Sequence, residues 1–265
     1  MNFALYKKEI KGSFKILLIF AGVLTMYIVM IVSMYDPELS DALKQFEELM
    51  PELMSAVGMT GANETLTDFM SSYLYGMILL VFPMVYTVIR ANGLIAKYVD
   101  RGSMAQLLAA PVKRSKIAVT QLTALISGIA ALIFYCTVLE YGAAQMMFPG
   151  KLSLTVLLRL NAGLLCLHLF IAAFCFLCSC AFGESRCSVT AGAGVPVLML
   201  LFQMLANMGG KLEKIRCFTF FTLFDPDGLV SAEPEALLFA GILLVLSVIL
   251  FALAVAVFKK KDLHL

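Results

Sequence analysis

Charged residues are scarce in this 265-residue chain. They make up 14% of it, against about 25% in a soluble domain, and hydrophobic residues reach 61% against about 45–50%. Mean hydropathy is +0.92. A soluble fold cannot bury this much apolar surface. The composition therefore excludes a free cytosolic enzyme, a secreted disulfide-rich domain and a disordered chain, and it predicts an integral membrane protein.

Chemical motifs are also missing. The chain has no Gly-x-x-x-x-Gly-Lys-Ser/Thr loop, and His168 has no neighbouring second ligand for a metal, so we expect His168 to be a hydrogen-bonded packing residue. Cys175-x-x-Cys178-x-Cys180 lies in an apolar run, where small apolar filler is favoured over a metal site. We expect no catalytic residues and no metal, and the energy for any work should come from another chain.

Long uncharged runs divide the chain into predicted membrane spans. A helix needs about 20 apolar residues to cross a hydrocarbon core of about 30 Å. The runs that reach this length are 16–35, 69–89, 117–139, 160–182, 187–210 and 236–258. The predicted fold is an all-α polytopic membrane protein with six transmembrane helices, forming a single transmembrane domain over 1–265. No span interior contains Asp, Glu, Lys or Arg, which argues against a proton relay.

The distribution of positive charge predicts an orientation. With six spans, both termini lie on the same side of the membrane. If that side is the cytoplasm, 14 of the 20 Lys and Arg residues fall in inner segments, as the positive-inside rule requires. The prediction is therefore N-in and C-in. No internal duplication is visible, so a two-fold pathway would need two chains.

The first two segments outside the spans are predicted to be amphipathic. Residues 1–15 carry apolar residues at helical spacing among lysines, which predicts a helix in the inner membrane interface; a simple basic flank is the alternative. Residues 36–68 form an outer loop that opens with Asp36-Pro37, a helix-start signal. The loop should contain an amphipathic helix kinked near Pro51.

The longest cytoplasmic segment, 90–116, is a candidate docking site for a soluble partner. Gly102 should end one short helix, and Ser103 with Gln106 forms a capping box that opens another. Apolar side chains flanked by charges suit docking, although an interfacial helix lying on lipid is an alternative. The candidate docking residues are Lys97, Asp100, Arg101, Ser103, Met104, Gln106, Leu107, Leu108 and Arg114.

The outer segment 209–235 is a candidate gate. It is aromatic and contains a second Asp-Pro helix start, which together favour a short re-entrant hairpin. The candidate gate residues are Phe220, Phe221, Phe224, Asp225 and Pro226. The fifth span adds polar and small residues that either line a substrate path or allow close packing with a bend. These residues are Gly192, Gly194, Pro196, Gln203 and Asn207.

Taken together, these features resemble the membrane subunits of ABC-2-type bacterial ABC exporters. The resemblance covers nearly the whole chain. It rests most specifically on the stretch Arg101-Gly102-Ser103 through Leu107-Leu108 to Pro111-Val112-Lys113-Arg114, which is similar to the Gly-Ser/Thr, Leu-Leu, Pro-Val, Arg pattern of that family. The segment Phe224-Asp225-Pro226 and the closing Phe258–Leu263 also fit.

The resemblance implies a permease subunit in the bacterial cell membrane that exports an amphiphilic, peptide, lipid or drug-like substrate. It implies a second permease copy or paralogue and two ABC ATP-binding subunits, which would hold ATP and Mg²⁺; this chain would bind no cofactor and no nucleic acid. The 90–116 segment would be the coupling helix, and spans two and five would line the path. A non-transporting scaffold or sensor and an intramembrane enzyme are the alternatives.

Overall fold

The computed structural model describes residues 2–35, 49–58, 65–100, 102–104, 107, 112–182 and 184–261. About 89% of these residues are helical, and none of them is in a strand. Within these ranges, six helices are long and apolar enough to cross a membrane: Phe3–Met34, Leu66–Asp100, Arg114–Met147, Leu154–Ala181, Ser185–Asn207 and Pro234–Lys260. The predicted all-α class and the six predicted spans are confirmed.

The helices are numbered here in chain order. They are α1 (Phe3–Met34), α2 (Pro51–Ala56), α3 (Leu66–Met70), α4 (Leu79–Leu94), α5 (Ala96–Asp100), α6 (Arg114–Met147), α7 (Leu154–Ala181), α8 (Ser185–Asn207), α9 (Pro226–Ser231) and α10 (Pro234–Lys260). A π-helix, Ser71–Ile78, joins α3 to α4. Two 3₁₀ helices, Gly210–Phe218 and Phe220–Leu223, lie between α8 and α9.

Both described ends of the chain lie at one end of the bundle. The backbone N–H of Asn2 donates to the hydroxyl of Thr120 near the start of α6 (2.8 Å). The guanidinium of Arg114, the first residue of α6, donates to the carbonyl of Lys261 (3.0 Å). We call this the terminal end and the opposite end the distal end. The Lys261 ammonium also donates to the carbonyls of Cys180 and Ala181, so it caps the last turn of α7.

The core forms around α7, which packs against α4, α6, α8 and α10. In its most apolar window 61% of α7 is buried, whereas only 17% of the corresponding window of α8 is buried. Most of the α8 surface is therefore left for lipid or for another chain. The helix is nonetheless important to the site, because its distal end contributes to the cavity described below.

The predicted interfacial helix and the first predicted span form one helix. The helix α1 runs from Phe3 to Met34 without a break and is capped by the side chain of Asn2. Its N-terminal part is not only basic, since Glu9 and Ser13 are buried against the bundle. A single continuous helix forms because no Pro or Gly-rich break separates the two parts of the sequence.

The long helices extend beyond the predicted spans, and the added turns contain buried charged residues. The helix α6 continues past residue 139, where the third predicted span ends, to Met147, so Glu140 lies inside the helix and none of its surface is exposed. Glu9 in α1 and Arg90 in α4 are also buried within long helices. A hydropathy scan stops at the first charge, whereas a helix continues wherever that charge finds polar partners.

The connecting segments follow part of the predicted pattern. Residues 36–48 lie outside the described residues, and α2 begins at Pro51, which occupies the first helical position that proline favours. Gly102 ends the short helix α5 as predicted, with φ of 68°. The hydroxyl of Ser103 donates to the carbonyl of Tyr98 (3.2 Å), and its predicted capping partner Gln106 lies outside the described residues.

Candidate functional site: a polar cavity at the distal end

A polar cavity of about 440 Å³ lies at the distal end, between the second span and α8. Four groups of residues form its walls, one of them the aromatic segment 220–227. The second span contributes Ser71, Ser72, Tyr75, Gly76 and Leu80; α8 and the residues after it contribute Gln203, Ala206, Asn207, Gly209, Glu213 and Arg216; the aromatic segment contributes Phe221, Phe224, Asp225, Pro226 and Asp227; and Ser55 and Gly58 close one side. The spans that wall the cavity are the second and the fifth.

Four of the five predicted gate residues, all except Phe220, line this cavity. Phe221 and Phe224 are buried, with 2% and 7% of their surface exposed. Phe220 does not line the cavity; its ring stacks on that of Phe221 (centroids 4.6 Å apart) and packs against Phe170 of α7 (5.1 Å). The aromatic segment is therefore anchored to the central helix of the bundle.

The Asp-Pro pair starts a helix, as predicted. Asp225 is the N-cap of α9 and accepts a hydrogen bond from the backbone N–H of Gly228 (3.1 Å), and Pro226 occupies the first turn. Leu229 of α9 packs so closely on α7 that a Cβ atom at Gly163 would collide with it. These contacts fix the wall of the cavity that α9 provides.

The residues predicted to line a substrate path separate into two groups. Gln203 and Asn207 line the cavity, and the amide of Gln203 donates to Oδ1 of Asn207 (3.0 Å). Gly192, Gly194 and Pro196 do not line it; they lie further along α8 toward the terminal end. The carbonyl of Gly192 accepts a hydrogen bond from the thiol of Cys175 (3.1 Å) and so ties α8 to α7.

One side of the cavity is closed by a backbone contact between two glycines. A Cβ atom at Gly76 in the π-helix would lie 2.9 Å from the carbonyl oxygen of Gly58 and 3.0 Å from that of Val57. Gly58 itself has φ of 76°, in the left-handed region that favours glycine. Only glycine at both positions allows the turn after α2 to cover the π-helix.

Asp227 places a carboxylate with an altered pKa at the cavity. Although part of the residue is exposed, the surrounding protein displaces enough water from the carboxyl group to raise its pKa. A hydrogen bond from the hydroxyl of Ser71 (3.0 Å) lowers the pKa, and the nearby carboxylates of Asp225 and Asp68 raise it further. The cavity therefore disfavours an ionised Asp227.

A second polar group lies beside the cavity, and the sequence analysis did not predict it. Tyr75 forms part of the cavity wall, although none of its surface is accessible to solvent. Its hydroxyl donates to Oε2 of Glu140 (2.9 Å). The side-chain amide of Asn161 donates to the same carboxylate oxygen (2.9 Å) and to the Tyr75 oxygen (2.8 Å). This cluster joins the π-helix, α6 and α7.

A third polar group joins four helices at the terminal end. The guanidinium of Arg90 lies 3.8 Å from the carboxylate of Glu9. The hydroxyl of Tyr98 in α5 donates to that carboxylate (2.7 Å), as does the amide of Gln121 in α6 (3.4 Å). The short helix α5, which belongs to the predicted docking segment, is thereby tied to α1, α4 and α6.

The described residues of the predicted docking segment differ in their exposure. Lys97 and Asp100 are exposed, Leu107 is half-buried, and Met104 is fully buried. Arg114 is engaged with Lys261, as described above. Met104 therefore packs within the chain, and the exposed groups available to a partner are those on α5. The remaining predicted docking residues, Arg101, Gln106 and Leu108, lie outside the described residues.

Comparison of the chain with protein-family models and with curated protein sequences gives no match.

Proposed function

We propose that this chain is the permease subunit of an ATP-driven ABC-2-type exporter in the bacterial cell membrane. It moves an amphiphilic, peptide, lipid or drug-like substrate by alternating access. A second copy or a paralogue completes the pathway, and two separate ATP-binding subunits hold ATP and Mg²⁺. The observation that carries the proposal is the polar cavity between the second and fifth spans, closed by the aromatic segment.

The distribution of features along the bundle supports this proposal. The cavity lies at the distal end, whereas the exposed Lys97 and Asp100 lie near the terminal end, on a helix that is hydrogen-bonded through Tyr98 to Glu9. A partner that binds this short helix pushes on α1, α4 and α6 together, because the buried Glu9 cluster joins them. In the proposal, force from the ATP-binding subunit enters through this connection.

Energetics indicates that docking must bury apolar surface as well as pair charges. Driving a two-state transporter from 1:99 to 99:1 takes about 5.5 kcal/mol of differential binding. A surface ion pair through Lys97 or Asp100 supplies only about 0–1 kcal/mol. A leucine that becomes fully buried supplies about 1.5–3 kcal/mol. With Met104 already buried in the chain, Leu107 is the apolar residue among the described candidate docking residues that a partner would cover further.

The test is a reconstitution with an ATP-binding subunit. The chain is co-expressed with a candidate ABC ATP-binding protein, the complex is purified into lipid nanodiscs, and ATP turnover is measured with and without the chain. We expect the chain to stimulate turnover, Leu107→Asp to abolish the stimulation, and Lys97→Glu to weaken it. The matched control is Lys260→Glu, which reverses an exposed charge near the same end of the bundle.

Two results would contradict the proposal in different ways. Full stimulation by Leu107→Asp, with normal insertion and thermal stability, would move the docking site elsewhere. A lone chain that exports substrate with no nucleotide-hydrolysing subunit present would end the proposal. Because Leu107 packs partly against the bundle, the thermal unfolding of each variant is measured before its activity is interpreted.

A further inference from the structure

In the buried cluster of Tyr75, Glu140 and Asn161, the hydrogen-bond donors lie on one side of the Glu140 carboxylate. The Tyr75 hydroxyl and the Asn161 amide both donate to Oε2 of Glu140, each over 2.9 Å. The residues themselves are sealed from solvent, with 0%, 4% and 0% of the surface of Tyr75, Asn161 and Glu140 exposed. Oε2 thus accepts two hydrogen bonds, and both come to the same oxygen of the carboxylate.

Two buried acceptors in this cluster have no hydrogen-bond partner in the part of the chain that the structure describes. They are Oε1 of Glu140 and Oδ1 of Asn161. Among the described residues, no cation forms an ion pair with Glu140. The ion pair that these residues contain joins Arg90 and Glu9 at the terminal end of the bundle. A carboxylate buried in a bundle without a counter-charge is strongly disfavoured, and buried polar atoms without partners are rare in native proteins. Both orphaned atoms are acceptors, so what the cluster lacks is a donor.

The neighbouring titratable groups do not supply the missing positive charge. Tyr75 faces Glu140 from the π-helix, and Cys136 lies one turn earlier on α6. Both are acids, and the contribution of α7 is the neutral amide of Asn161. A proton on Oε1 removes the buried charge and converts that orphaned acceptor into a donor. It does so without disturbing either hydrogen bond to Oε2.

We propose that Glu140 binds a proton, which it exchanges with water of the distal cavity through the hydroxyl of Tyr75. In this exchange the cavity wall opens at Tyr75 far enough for water to reach the hydroxyl. The Tyr75 O–H proton then moves to Oε2 of Glu140, and a proton from a hydronium ion in the cavity water replaces it on the Tyr75 oxygen. Rotation of the carboxyl group then turns its unprotonated oxygen toward Tyr75 and Asn161. The protonated oxygen takes the position that Oε1 held, where no donor is present among the described residues. Release runs the same steps in reverse. The site is distinct from the proposed export function and does not rest on it.

The experiment is pH-difference infrared spectroscopy on the full chain in lipid nanodiscs, without ATP or any partner. A protonated carboxyl group has a C=O stretch that is absent from the carboxylate and that shifts in D₂O. Spectra are recorded between about pH 4 and about pH 9, a range that covers ordinary and shifted carboxyl groups. We expect a band equivalent to one carboxyl group per chain that Glu140→Gln removes and the exposed-site control Glu235→Gln retains.

A second variant assigns the band without altering Glu140. Tyr75→Phe removes a hydrogen bond to Oε2 and the proposed exchange route, so the band should persist, change frequency and shift more slowly after transfer to D₂O. A spectrum with no band that depends on Glu140 at any pH overturns the proposal. A band that disappears at constant pH when Na⁺ replaces a large organic cation overturns it in favour of a metal-cation site. Unchanged D₂O exchange in Tyr75→Phe overturns the route through the cavity.

Discussion

The Nε2 atom of His168 lies 2.8 Å from the carbonyl oxygen of Leu79. In a regular helix that carbonyl would accept from the backbone N–H four residues later, but the residue there is Pro83, which has no N–H. A carbonyl can only accept, so Nε2 is the atom that carries the hydrogen. His168 of α7 therefore replaces a hydrogen bond that the sequence of α4 removes, which gives this buried histidine a structural role.

We expect His168→Leu to lower the free energy of unfolding by about 1–3 kcal/mol, because it leaves a buried carbonyl without a donor. In a Pro83→Ala background the new N–H at residue 83 can bond to Leu79, so the same substitution should cost much less. The chain has no tryptophan, so unfolding is followed with a thiol-reactive dye that reports on buried cysteines such as Cys136 and Cys175. An equal cost in both backgrounds would show that His168 stabilises the bundle in another way.

The ion pair between Arg90 and Glu9 should be stabilising only as a complete pair. Both side chains are buried, with 9% and 7% exposed, so Arg90→Met strands a carboxylate inside the bundle and should cost about 3–5 kcal/mol. The double variant Glu9→Gln with Arg90→Met should recover most of that loss, whereas Lys7→Met, at an exposed position on the same helix, should change stability by at most about 0.5 kcal/mol. Dye-monitored melting of the wild type, Glu9→Gln, Arg90→Met and the double variant measures the coupling, and additive effects of the two substitutions would contradict it.

Asp227 should make stability depend on pH. Its pKa is raised in the folded protein, mainly by partial burial, so the ionised form is disfavoured by folding. The resulting destabilisation is present above the folded-state pKa and disappears once the pH falls below the unfolded value of about 3.9. Asp227→Asn, whose side-chain oxygen can still accept from Ser71, should therefore raise the melting temperature at neutral pH. The gain should shrink toward about pH 4, and a gain of constant size would contradict this origin.

The contact between Gly76 and Gly58 should tolerate no side chain. A Cβ atom at residue 76 would meet backbone oxygens that cannot rotate away, so Gly76→Ala should destabilise the bundle by about 1–3 kcal/mol. Gly93 lies in the same span, and a Cβ atom there would meet no neighbouring described residue within 4 Å, so Gly93→Ala should be neutral or stabilising by up to about 1 kcal/mol. Melting curves that rank the two variants in the opposite order would show that the turn after α2 moves to accommodate the methyl group at residue 76.

Two exposed cysteines provide a test of the predicted orientation. Cys217 lies in the 3₁₀ helix after α8, toward the distal end, and Cys187 lies at the start of α8, toward the terminal end. In intact cells a membrane-impermeant thiol reagent should label Cys217 and leave Cys187 unlabelled, as N-in and C-in predict. Cys217→Ser should abolish the labelling. Labelling of Cys187 instead would place the distal cavity on the cytoplasmic side.

The parts of this fold that the sequence predicts are those encoded locally. Six apolar runs of sufficient length specify six spans, because a helix must satisfy its backbone groups within the segment. The Asp225-Pro226 pair predicts a helix start, because the cap and the first turn are adjacent in sequence. The same local reasoning brought Phe221 and Phe224 into one candidate site, and the cavity does contain them.

The features that the sequence does not reveal depend on residues far apart in the chain. Glu140 is 65 residues from Tyr75 and 21 from Asn161, and without those partners a glutamate marks the end of a span. His168 is 89 residues from Leu79, and only Pro83, four residues after Leu79, indicates that a carbonyl there needs a donor. Pairing at such distances is decided by how the helices pack, which hydropathy and spacing along one chain do not record.

The π-helix Ser71–Ile78 gives the second span a surplus of one residue in each hydrogen-bonded ring. Helical residues succeed one another at about 100° around the axis. Deleting one residue there, or moving the surplus along the helix, would therefore turn the distal part of the span by about that angle and swing Tyr75 out of line with Glu140. The π-helix thus determines which residues of the second span face the cavity and which face the carboxyl group of Glu140. A shift of one position would separate Tyr75 from Glu140.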